Sequence, residues 1–262
     1  MSHACPTLTA ALVTLDEAEN LRELLPRLDW VDEIVVVDGG SQDETARLAR
    51  EHGCRVLSRG FDHFAGQRNH AIAMATSQWI LSIDADERPT ERLVDEIRRR
   101  LETTRYAAFR VPIRSTIFGR PLRRSGTQDD RPIRLFRRDA ARWNGEVHEV
   151  LQVQGRVGRL RAWLTHRTQH NLHVFLSKMH RYTTLEAEAR VAAGRAPGRF
   201  DRYLAPPREV FRRLIWKQGM LDGPEGWAFC FFSGLYEHVL ADKHRRLWAM
   251  QATSTTPSWT RR

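Results

Sequence analysis

The sequence predicts an α/β protein, in which a mostly parallel sheet is flanked by helices and followed by a helical C-terminal extension. In the first half of the chain, short apolar runs alternate with segments of helical period, which is the pattern of βαβ units. Residues 34–37 are apolar without interruption, as expected of a parallel strand that is covered on both faces. From about residue 172 onward the pattern is helical.

The elements follow one another in a regular order. The predicted strands are residues 8–15, 34–37, 55–57, 79–83, 109–113 and 133–136. Asp16 with Glu19, and Ser41 with Glu44, have the spacing of a capping box and predict where the first two helices begin. Gly53 is placed to end the second helix. We expect further helices near residues 72–74, 90–101, 172–193, 208–219 and 227–250.

Composition indicates a globular protein with anionic partners. The chain has 262 residues, 41% hydrophobic and 28% charged, with a net charge of +10 and a pI of about 10.4. This excess favours nucleic acid, nucleotide phosphates or an acidic membrane face as partners. Three dispersed cysteines without a CxxC pair argue against a disulfide framework or a zinc knuckle. The start of the chain does not resemble a signal peptide, so we expect a cytoplasmic protein, with a peripheral position on the cytoplasmic face of the inner membrane left open.

Acidic residues follow three of the predicted strands. They are Asp16 with Glu17, then Asp38, then Asp84 with Asp86. Ligands of open α/β sheets bind beyond the carboxyl ends of the strands, so these positions are candidates for a binding site. The alternative for each carboxylate is a helix cap or a turn.

Residues 82–87 carry the most specific signal. An apolar strand delivers Asp84 and Asp86, two carboxylates one residue apart, to the rim of the sheet. Such anions repel each other unless a cation or hydrogen bonds offset them. A hard divalent cation that shares its remaining positions with phosphate oxygens, Mg²⁺ or Mn²⁺, meets that need. A dinucleotide dehydrogenase is disfavoured because no G-x-G-x-x-G opens the first helix, and no Walker lysine is present.

The motifs together resemble a known family. The N-terminal set is similar to family 2 glycosyltransferases of the GT-A fold and comprises Thr14-Leu15-Asp16-Glu17, Val36-Val37-Asp38-Gly39-Gly40-Ser41-Gln42-Asp43, Arg68-Asn69 and Asp84-Ala85-Asp86-Glu87. The later set resembles one branch, the bacterial lipopolysaccharide-core β-glucosyltransferases, and comprises Arg134-Leu135-Phe136-Arg137-Arg138, Trp143-Asn144-Gly145, Val147-His148-Glu149, Lys178 with Tyr182, and Gly219 with Leu221-Asp222-Gly223.

The resemblance implies an activity and its partners. It implies an inverting, metal-dependent transfer of a hexose, glucose in this branch, from a UDP-sugar to a lipopolysaccharide-core or other cell-envelope glycan. It also implies a GT-A nucleotide-sugar-binding and catalytic domain over residues 1–170. Residues 171–252 form the helical extension, which is placed to contact acceptor or membrane, and residues 253–262 a flexible tail.

Individual residues take roles from the same resemblance. Thr14 and Glu17 would line the nucleotide pocket, and Asp38 would hydrogen-bond the uracil or ribose. Arg68 would lie near the diphosphate. Asp86 would coordinate the metal, and Asp84 would contact the ribose or a metal-bound water as the second member of the metal pair.

The acceptor hydroxyl needs a base, and the residues leave several candidates. Glu149 is favoured, with His148 as its rival and Glu146 third. If the segment is extended, Glu146 and His148 share one face and Glu149 points to the other. Asp129 and Asp130, in the polar loop of residues 119–131, are weaker competitors.

Other interpretations remain beside this one. Within the enzyme class, a polyprenyl-phosphate sugar synthase is the alternative. The charge alone suggests a nucleic-acid-binding protein, although no motif supports it, and a catalytically inactive nucleotide-sugar sensor is a third possibility. His166, His170 and His173 suggest a metal site by spacing, but surface or core histidines are commoner. Residues 208–217 fit either a basic helix in an anionic membrane interface or an ordinary packed helix.

Overall fold

The computed structural model describes residues 6–60, 62–117, 119–127, 130–145, 149–167 and 172–254. These residues fall into two compact units. The first takes the described residues of 1–115 and 129–167, and the second takes those of 116–128 and 168–262. The segment 116–128, which the sequence prediction placed in the first domain, therefore groups with the C-terminal helices.

The predicted runs at residues 8–15, 34–37, 55–57, 79–83, 109–113 and 133–136 all contain strands, and the described ranges hold six further short strands that the sequence did not predict. In chain order the strands are β1 (Leu8–Thr14), β2 (Glu33–Asp38), β3 (Arg55–Ser58), β4 (Trp79–Ser82), β5 (Glu87–Pro89), β6 (Ala108–Arg110), β7 (Ile113–Ile117), β8 (Arg120–Pro121), β9 (Ile133–Arg137), β10 (Ala141–Asn144), β11 (Val150–Val153), β12 (Val157–Arg159) and β13 (Leu164–Arg167). The single strand predicted over residues 109–113 is divided into β6 and β7. Pro112, which has no N–H to donate to a ladder, lies at the division.

The helices also lie near their predicted positions, except that the sixth begins earlier in the chain. They are α1 (Ala18–Leu24), α2 (Thr45–Glu51), α3 (Phe64–Met74), α4 (Glu91–Thr103), α5 (Leu172–Ala192), α6 (Asp201–Phe211) and α7 (Gly223–Ser254). Thr90 caps α4, since its side chain accepts from the N–H of Leu93. None of the helices in the described ranges has an apolar stretch long enough to cross a bilayer.

The central sheet is mostly parallel, as predicted. Its strand order is β12-β6-β9-β4-β1-β2-β3. The neighbours β4, β1, β2 and β3 run parallel, whereas β9 is antiparallel to both β4 and β6. The carboxyl ends of β1, β2 and β4 consequently meet at one edge, which is where ligands of such sheets bind.

Two apolar cores cover the two faces of this sheet. Alternate residues of a strand point to opposite faces, and in β1 Leu12 enters one core while Ala11 enters the other. Helices α1 and α4 contribute to the first core, and α3 contributes to the second. This burial on both faces explains why the central strands are continuously apolar.

Two smaller strand pairings extend the first unit. Strand β13 pairs antiparallel with β5, so that His166 lies opposite Glu87. Strands β10 and β11 form an antiparallel pair whose last register is Asn144 with Val150. Residue 149 therefore comes immediately before β11, beside the end of β10.

Side chains of the loops after β1 and β2 accept hydrogen bonds from backbone N–H groups of the other loop, so neither predicted capping box forms. We call these contacts the exchanged caps. Asp16 has a left-handed φ of 54° and does not cap α1. Its Oδ1 accepts from the N–H of Gln42 at 2.7 Å instead, and the Oγ of Ser41 accepts from the N–H of Asp16 at 2.9 Å. In the same way, the N–H of Glu17 donates to the Oγ1 of Thr45 at 2.8 Å. The polar residues that look like local caps in the sequence thus fasten two loops to each other.

In the second unit, α7 has α5 on one side and α6 on the other. Phe175 of α5 meets Phe232 with ring centroids 5.0 Å apart. Gly234 faces α6, because a Cβ on it would lie 2.5 Å from the side chain of Val210. The C-terminal helices therefore pack along opposite faces of α7.

Helix α6 begins at Asp201 rather than at residue 208 as predicted. Pro206 and Pro207 lie inside it, and Pro206 leaves the carbonyl of Arg202 without its helical donor. The Nδ1 of His238 lies 3.3 Å from that carbonyl oxygen and supplies a substitute. A π-helical turn, Arg212–Trp216, continues α6. Prolines that signal a break in the sequence are thus accommodated by a neighbouring helix.

The motif around residue 219 has a structural role in this unit. Asp222 accepts from the N–H groups of Arg123 and Arg124 at 3.1 and 2.9 Å and from the Oγ of Ser125 at 2.9 Å. A Cβ on Gly219 would lie 2.6 Å from the Sγ of Cys230, which is closer than such contacts occur. These contacts explain why the segment 116–128 belongs with the helices.

The exchanged caps give a stability prediction. Replacing the fully buried Thr45 with valine keeps its shape but removes the hydroxyl that serves the N–H of Glu17. We expect Thr45→Val to lower the free energy of unfolding by about 0.5–1.5 kcal/mol, because the N–H of Glu17 loses its acceptor and the Asp43 carboxylate loses a donor. Urea unfolding measures this, with Thr103→Val at an exposed position of α4 as the matched control. Equal stability of the two variants would show that the exchange contributes nothing.

Candidate active site

The acidic segment lies where β4 ends. Residues 83–86 form a turn between β4 and β5, closed by the N–H of Glu87 donating to the carbonyl of Asp84 at 2.9 Å. The N–H of Asp84 in turn donates to the Glu87 Oε2 at 3.0 Å. The turn is therefore held from within, and it sets the directions of Asp84 and Asp86.

Two arginines bind the Asp84 carboxylate. The Nη2 of Arg68, from α3, donates to Oδ1 at 2.8 Å, and the Nη2 of Arg134, from β9, donates to Oδ2 at 2.5 Å. Burial by itself raises the pKa of Asp84, but the charges of Arg134 and Arg68 outweigh it and hold that pKa well below its usual range. Asp84 is consequently a fixed anion with both oxygens occupied by protein.

Arg134 also holds the buried Glu87. Its Nη2 lies 2.5 Å from the Glu87 Oε1, and the two side chains are 9% and 1% exposed. Burial raises the pKa of Glu87 and Arg134 opposes that rise. For Arg134, burial lowers the pKa, but the two carboxylates more than compensate and raise it. One guanidinium thus contacts two carboxylates, and Arg68 supplies a second positive charge at Asp84.

Asp86 lies beside a histidine from another strand. Its Oδ2 is 3.1 Å from the Nε2 of His166 on β13, and both side chains are partly exposed. Burial lowers the pKa of His166, but its hydrogen bond and attraction to Asp86 reverse this and raise the pKa above its usual value. The strand pairing of β5 with β13 therefore brings an imidazole next to the second aspartate of the motif.

The separation of these two atoms is a hydrogen-bond distance, which the imidazole N–H of His166 and the Asp86 carboxylate account for by themselves. A divalent ion binds such a pair only after that nitrogen has lost its proton. Across the described ranges, three carboxylate, imidazole or thiol groups do not come together as a ready-formed cage. A site of this kind would therefore be completed by oxygens from a ligand or from water.

Glu149 lies on the other side of Arg68. Its Oε1 is 3.5 Å from the Arg68 Nε, and the side chain is 20% exposed. The Arg68 guanidinium stacks over the ring of Trp143 at 4.9 Å and also donates to the Oγ of Ser82 at 3.0 Å. Arg68 thus joins the Asp84 carboxylate to Glu149 and is itself fixed by an aromatic face.

Asn69 positions the strand that carries this ring. Its Nδ2 donates to the carbonyl of Trp143 at 2.8 Å, and its Oδ1 accepts from the N–H of Trp143 at 2.9 Å. This bidentate contact ties α3 to β10. In the Arg68-Asn69 dipeptide, the first residue therefore pairs with carboxylates and the second hydrogen-bonds to the backbone of β10.

The predicted nucleotide residues lie at the ends of β1 and β2. Asp38 is buried, and its carboxylate accepts from the N–H groups of Gly40 and Ser41 at 3.2 and 3.1 Å and from the Ser41 Oγ at 2.5 Å. Thr14 is buried too, whereas Glu17 is partly exposed and accepts from the Asn20 Nδ2 at 2.6 Å. In this structure these side chains organise the two loops, and their contacts to a nucleotide stay predictions.

Several predicted residues lie outside the described ranges. They are the base candidates Glu146, His148 and Asp129, together with His170. Asp130 is described, and loss of hydration raises its pKa against the opposing charges of Arg134 and His166. It stays a weaker candidate for the base, after Glu149, His148 and Glu146.

The sequence reasoning missed five contributors. In the sequence, Arg134, Trp143, Asn69 and Glu87 stand within the family motifs, but nothing there indicates their individual roles. The spacing of His166 groups it with other histidines and does not connect it with Asp86. Buried charge offers a signal for Arg134, since an arginine within an apolar strand requires carboxylate partners. Only the register of β5 with β13 reveals His166.

The buried charge cluster gives a prediction. Arg134→Met leaves Glu87 without its counter-charge, and we expect the free energy of unfolding to fall by about 3–5 kcal/mol. Urea denaturation measures this. The double variant Arg134→Met, Glu87→Gln is the matched control and should recover part of the loss, because it leaves no unpaired carboxylate at position 87. A double variant that is no more stable than the single one contradicts this account of the cluster.

Comparison with known proteins identifies the family of this chain. Residues 9–156 match the model of the glycosyl transferase family 2. The lipopolysaccharide core biosynthesis glycosyltransferase LpsC of Rhizobium meliloti (strain 1021) is 28% identical over 255 residues, which cover 94% of each chain. A TPR repeat-containing protein of Synechococcus elongatus is 36% identical over 172 residues, 62% of this chain and 41% of that one.

A solved structure shows the same fold. The mannosyltransferase PcManGT from Pyrobaculum calidifontis, in complex with GDP-Man and Mn²⁺, superposes with a TM-score of 0.56 at 14% identity, over 94% of this chain and 88% of that one. The sheet order, the strand-end site and the family match lead to one conclusion. This chain belongs to glycosyl transferase family 2 and is a glycosyltransferase with the GT-A fold.

Proposed function

We propose that this glycosyltransferase moves a hexose, glucose, from a UDP-sugar to a lipopolysaccharide-core or related cell-envelope glycan, with inversion and with a bound Mg²⁺ or Mn²⁺. One observation supports this more than any other. Arg68 links the metal-type motif at Asp84 to Glu149 within one cluster at the carboxyl edge of the sheet. The first aspartate of the motif and a candidate base therefore share one arginine.

The donor diphosphate would lie at Asp86 and His166. These two side chains would hold the ion, and oxygens of the diphosphate and of water would complete its coordination. The ion, when bound, supplies positive charge that stabilises the departing nucleoside diphosphate. Asp84 cannot bind an ion strongly while two arginines occupy both of its oxygens, so its proposed partners are the ribose or a metal-bound water.

Glu149 is proposed as the base that takes the proton from the acceptor hydroxyl. The donor already carries a good leaving group, so one carboxylate is enough. Attack from the face opposite the diphosphate inverts the anomeric carbon. Arg68, clamped between the Trp143 ring and two carboxylates, is a positioning residue that keeps Glu149 next to Asp84.

The nucleoside would lie against the interlocked loops after β1 and β2. Thr14, Glu17 and Asp38 lie there, and the hydrogen bonds between the two loops hold them in a fixed position. The relationship with LpsC over nearly the whole chain supports an envelope glycan as acceptor. A panel of UDP-, GDP- and dTDP-sugars, titrated with and without divalent metal, identifies the donor through thermal protection.

The first prediction of this function concerns the metal. Asp86→Asn keeps the shape of the side chain but removes the charge that would bind the ion. We expect metal-dependent transfer to fall by about a hundredfold or more, and Mn²⁺ to lose its effect on the thermal protection given by UDP. Asp95→Asn, an exposed carboxylate of α4, is the matched control and should behave as wild type. Undiminished transfer by Asp86→Asn removes the motif from the mechanism.

The second prediction concerns the base. Glu149→Gln should retain donor binding, seen as unchanged thermal protection by UDP-sugar with metal, and lose about 10²- to 10⁴-fold in transfer rate. Asp130→Asn is the paired variant, because its carboxylate competes for the same role. Normal transfer by Glu149→Gln with loss in Asp130→Asn would reassign the base. Offering both a glycan and a polyprenyl phosphate as acceptors separates the main proposal from a lipid-phosphate sugar synthase.

A further inference from the structure

Helix α6 exposes an apolar stripe in place of a polar one. Leu204, Phe211 and Ile215 recur at helical spacing and are 63%, 54% and 40% exposed. Trp216, in the π-helical turn, is 74% exposed and meets Phe211 edge to face, with ring centroids 6.1 Å apart. A surface helix normally turns polar residues outward. An exposed apolar stripe of this kind therefore indicates a surface that binds another apolar surface.

Helix α7 carries a second exposed stripe. Trp227, Phe231 and Leu235 are spaced four residues apart and are all exposed. The rings of Trp227 and Phe231 stack with centroids 6.2 Å apart. The stripe is continuous over two turns of the helix.

The two stripes lie on neighbouring helices of the same unit. The helices are antiparallel, since Val210 meets Gly234 while Arg202, earlier on α6, meets His238, later on α7. We call the two exposed stripes together the aromatic face.

Helix α5 does not contribute to the aromatic face. It packs on the far side of α7, through the Phe175–Phe232 ring contact and the hydrogen bond of the Tyr236 hydroxyl to the Glu186 Oε2 at 2.8 Å. Its exposed Leu185 therefore lies elsewhere on the same unit. This residue provides a matched reference for tests of the face.

The segment that carries the α6 stripe is strongly cationic. Between residues 199 and 217 there are six cations and two carboxylates, namely Arg199, Arg202, Arg208, Arg212, Arg213 and Lys217 against Asp201 and Glu209. Glu209 is taken up by Arg212 and Arg213 at 2.6 Å each. Arg208, by contrast, is exposed between Leu204 and Phe211. The face therefore combines large rings with an excess of positive charge.

We propose that the aromatic face lies in the interface of an anionic phospholipid membrane, with the rings at the level of the acyl boundary and the arginines at the lipid phosphates. Aromatic rings and arginines on one amphipathic surface are the composition that such interfaces bind. Two copies of this face would bring like charges together, which disfavours self-association. The proposal does not depend on the donor or the base, so it can fail or succeed independently of the proposed function.

Vesicle flotation of the full chain tests the proposal. We expect flotation with vesicles of equal parts phosphatidylglycerol and phosphatidylcholine, little flotation with phosphatidylcholine alone, and weakening by salt. Phe211→Ser combined with Phe231→Ser should reduce the partition coefficient by about tenfold or more, because two buried rings are lost. Leu185→Ser is the matched control and should float as wild type. Circular dichroism checks that each variant keeps its helices.

Brominated lipids provide a second measurement that does not depend on loss of binding. Trp216→Phe should still float, but it should lose a component of the fluorescence quenching that wild type shows on brominated anionic vesicles. Equal flotation on neutral vesicles, or unchanged flotation of the double variant, overturns the proposal. The proposal is also overturned if the wild-type protein does not float with vesicles but forms a dimer, and if the double variant Phe211→Ser, Phe231→Ser is a monomer. The aromatic face would then join two copies of the chain.

Discussion

The site depends on how the Asp84 carboxylate, whose side chain is 34% exposed, is paired with positive charge. Asp84 leaves the end of β4 between two guanidiniums, one from α3 and one from β9. Removing anions from water costs free energy unless counter-charges and hydrogen bonds offset the loss. Arg134 contacts both Asp84 and Glu87, and Arg68 contacts Asp84 and extends the network to Glu149. Glu149 is tied to this network through Arg68, whereas Asp86 pairs with His166.

The arrangement divides the chemistry among different parts of the fold. The parallel strands β1, β2 and β4 bring their ends to one edge, while β13 and β11 bring His166 and Glu149 to it from later in the chain. Leaving-group charge would be met at Asp86 and His166, and proton removal at Glu149. Arg68, fixed by the Trp143 ring, holds Glu149 in place before substrate binds, and such advance positioning lowers the cost of ordering the site.

The sequence predicts the local features well and the long-range ones poorly. Apolar runs such as residues 34–37 locate the strands, because burial on both faces demands them. The capping boxes at Asp16 and Ser41 were wrong, since a hydroxyl or carboxylate in a loop can serve a backbone N–H of another loop as well as its own. Asp84 and Asp86 are visible from their place at a strand end. His166 and Arg134 are not, because strand register and buried pairing are set by tertiary packing.

The central claim is that Asp86 and His166 hold an ion against the donor diphosphate, next to Glu149. Crystals grown with UDP and Mn²⁺, measured at the manganese absorption edge, test it most directly. The account predicts an anomalous peak within ligand distance of Asp86 and His166 that also touches diphosphate oxygens, with Arg68 still between Asp84 and Glu149. A diphosphate bound away from this edge of the sheet, or manganese on it without Asp86, would contradict the account.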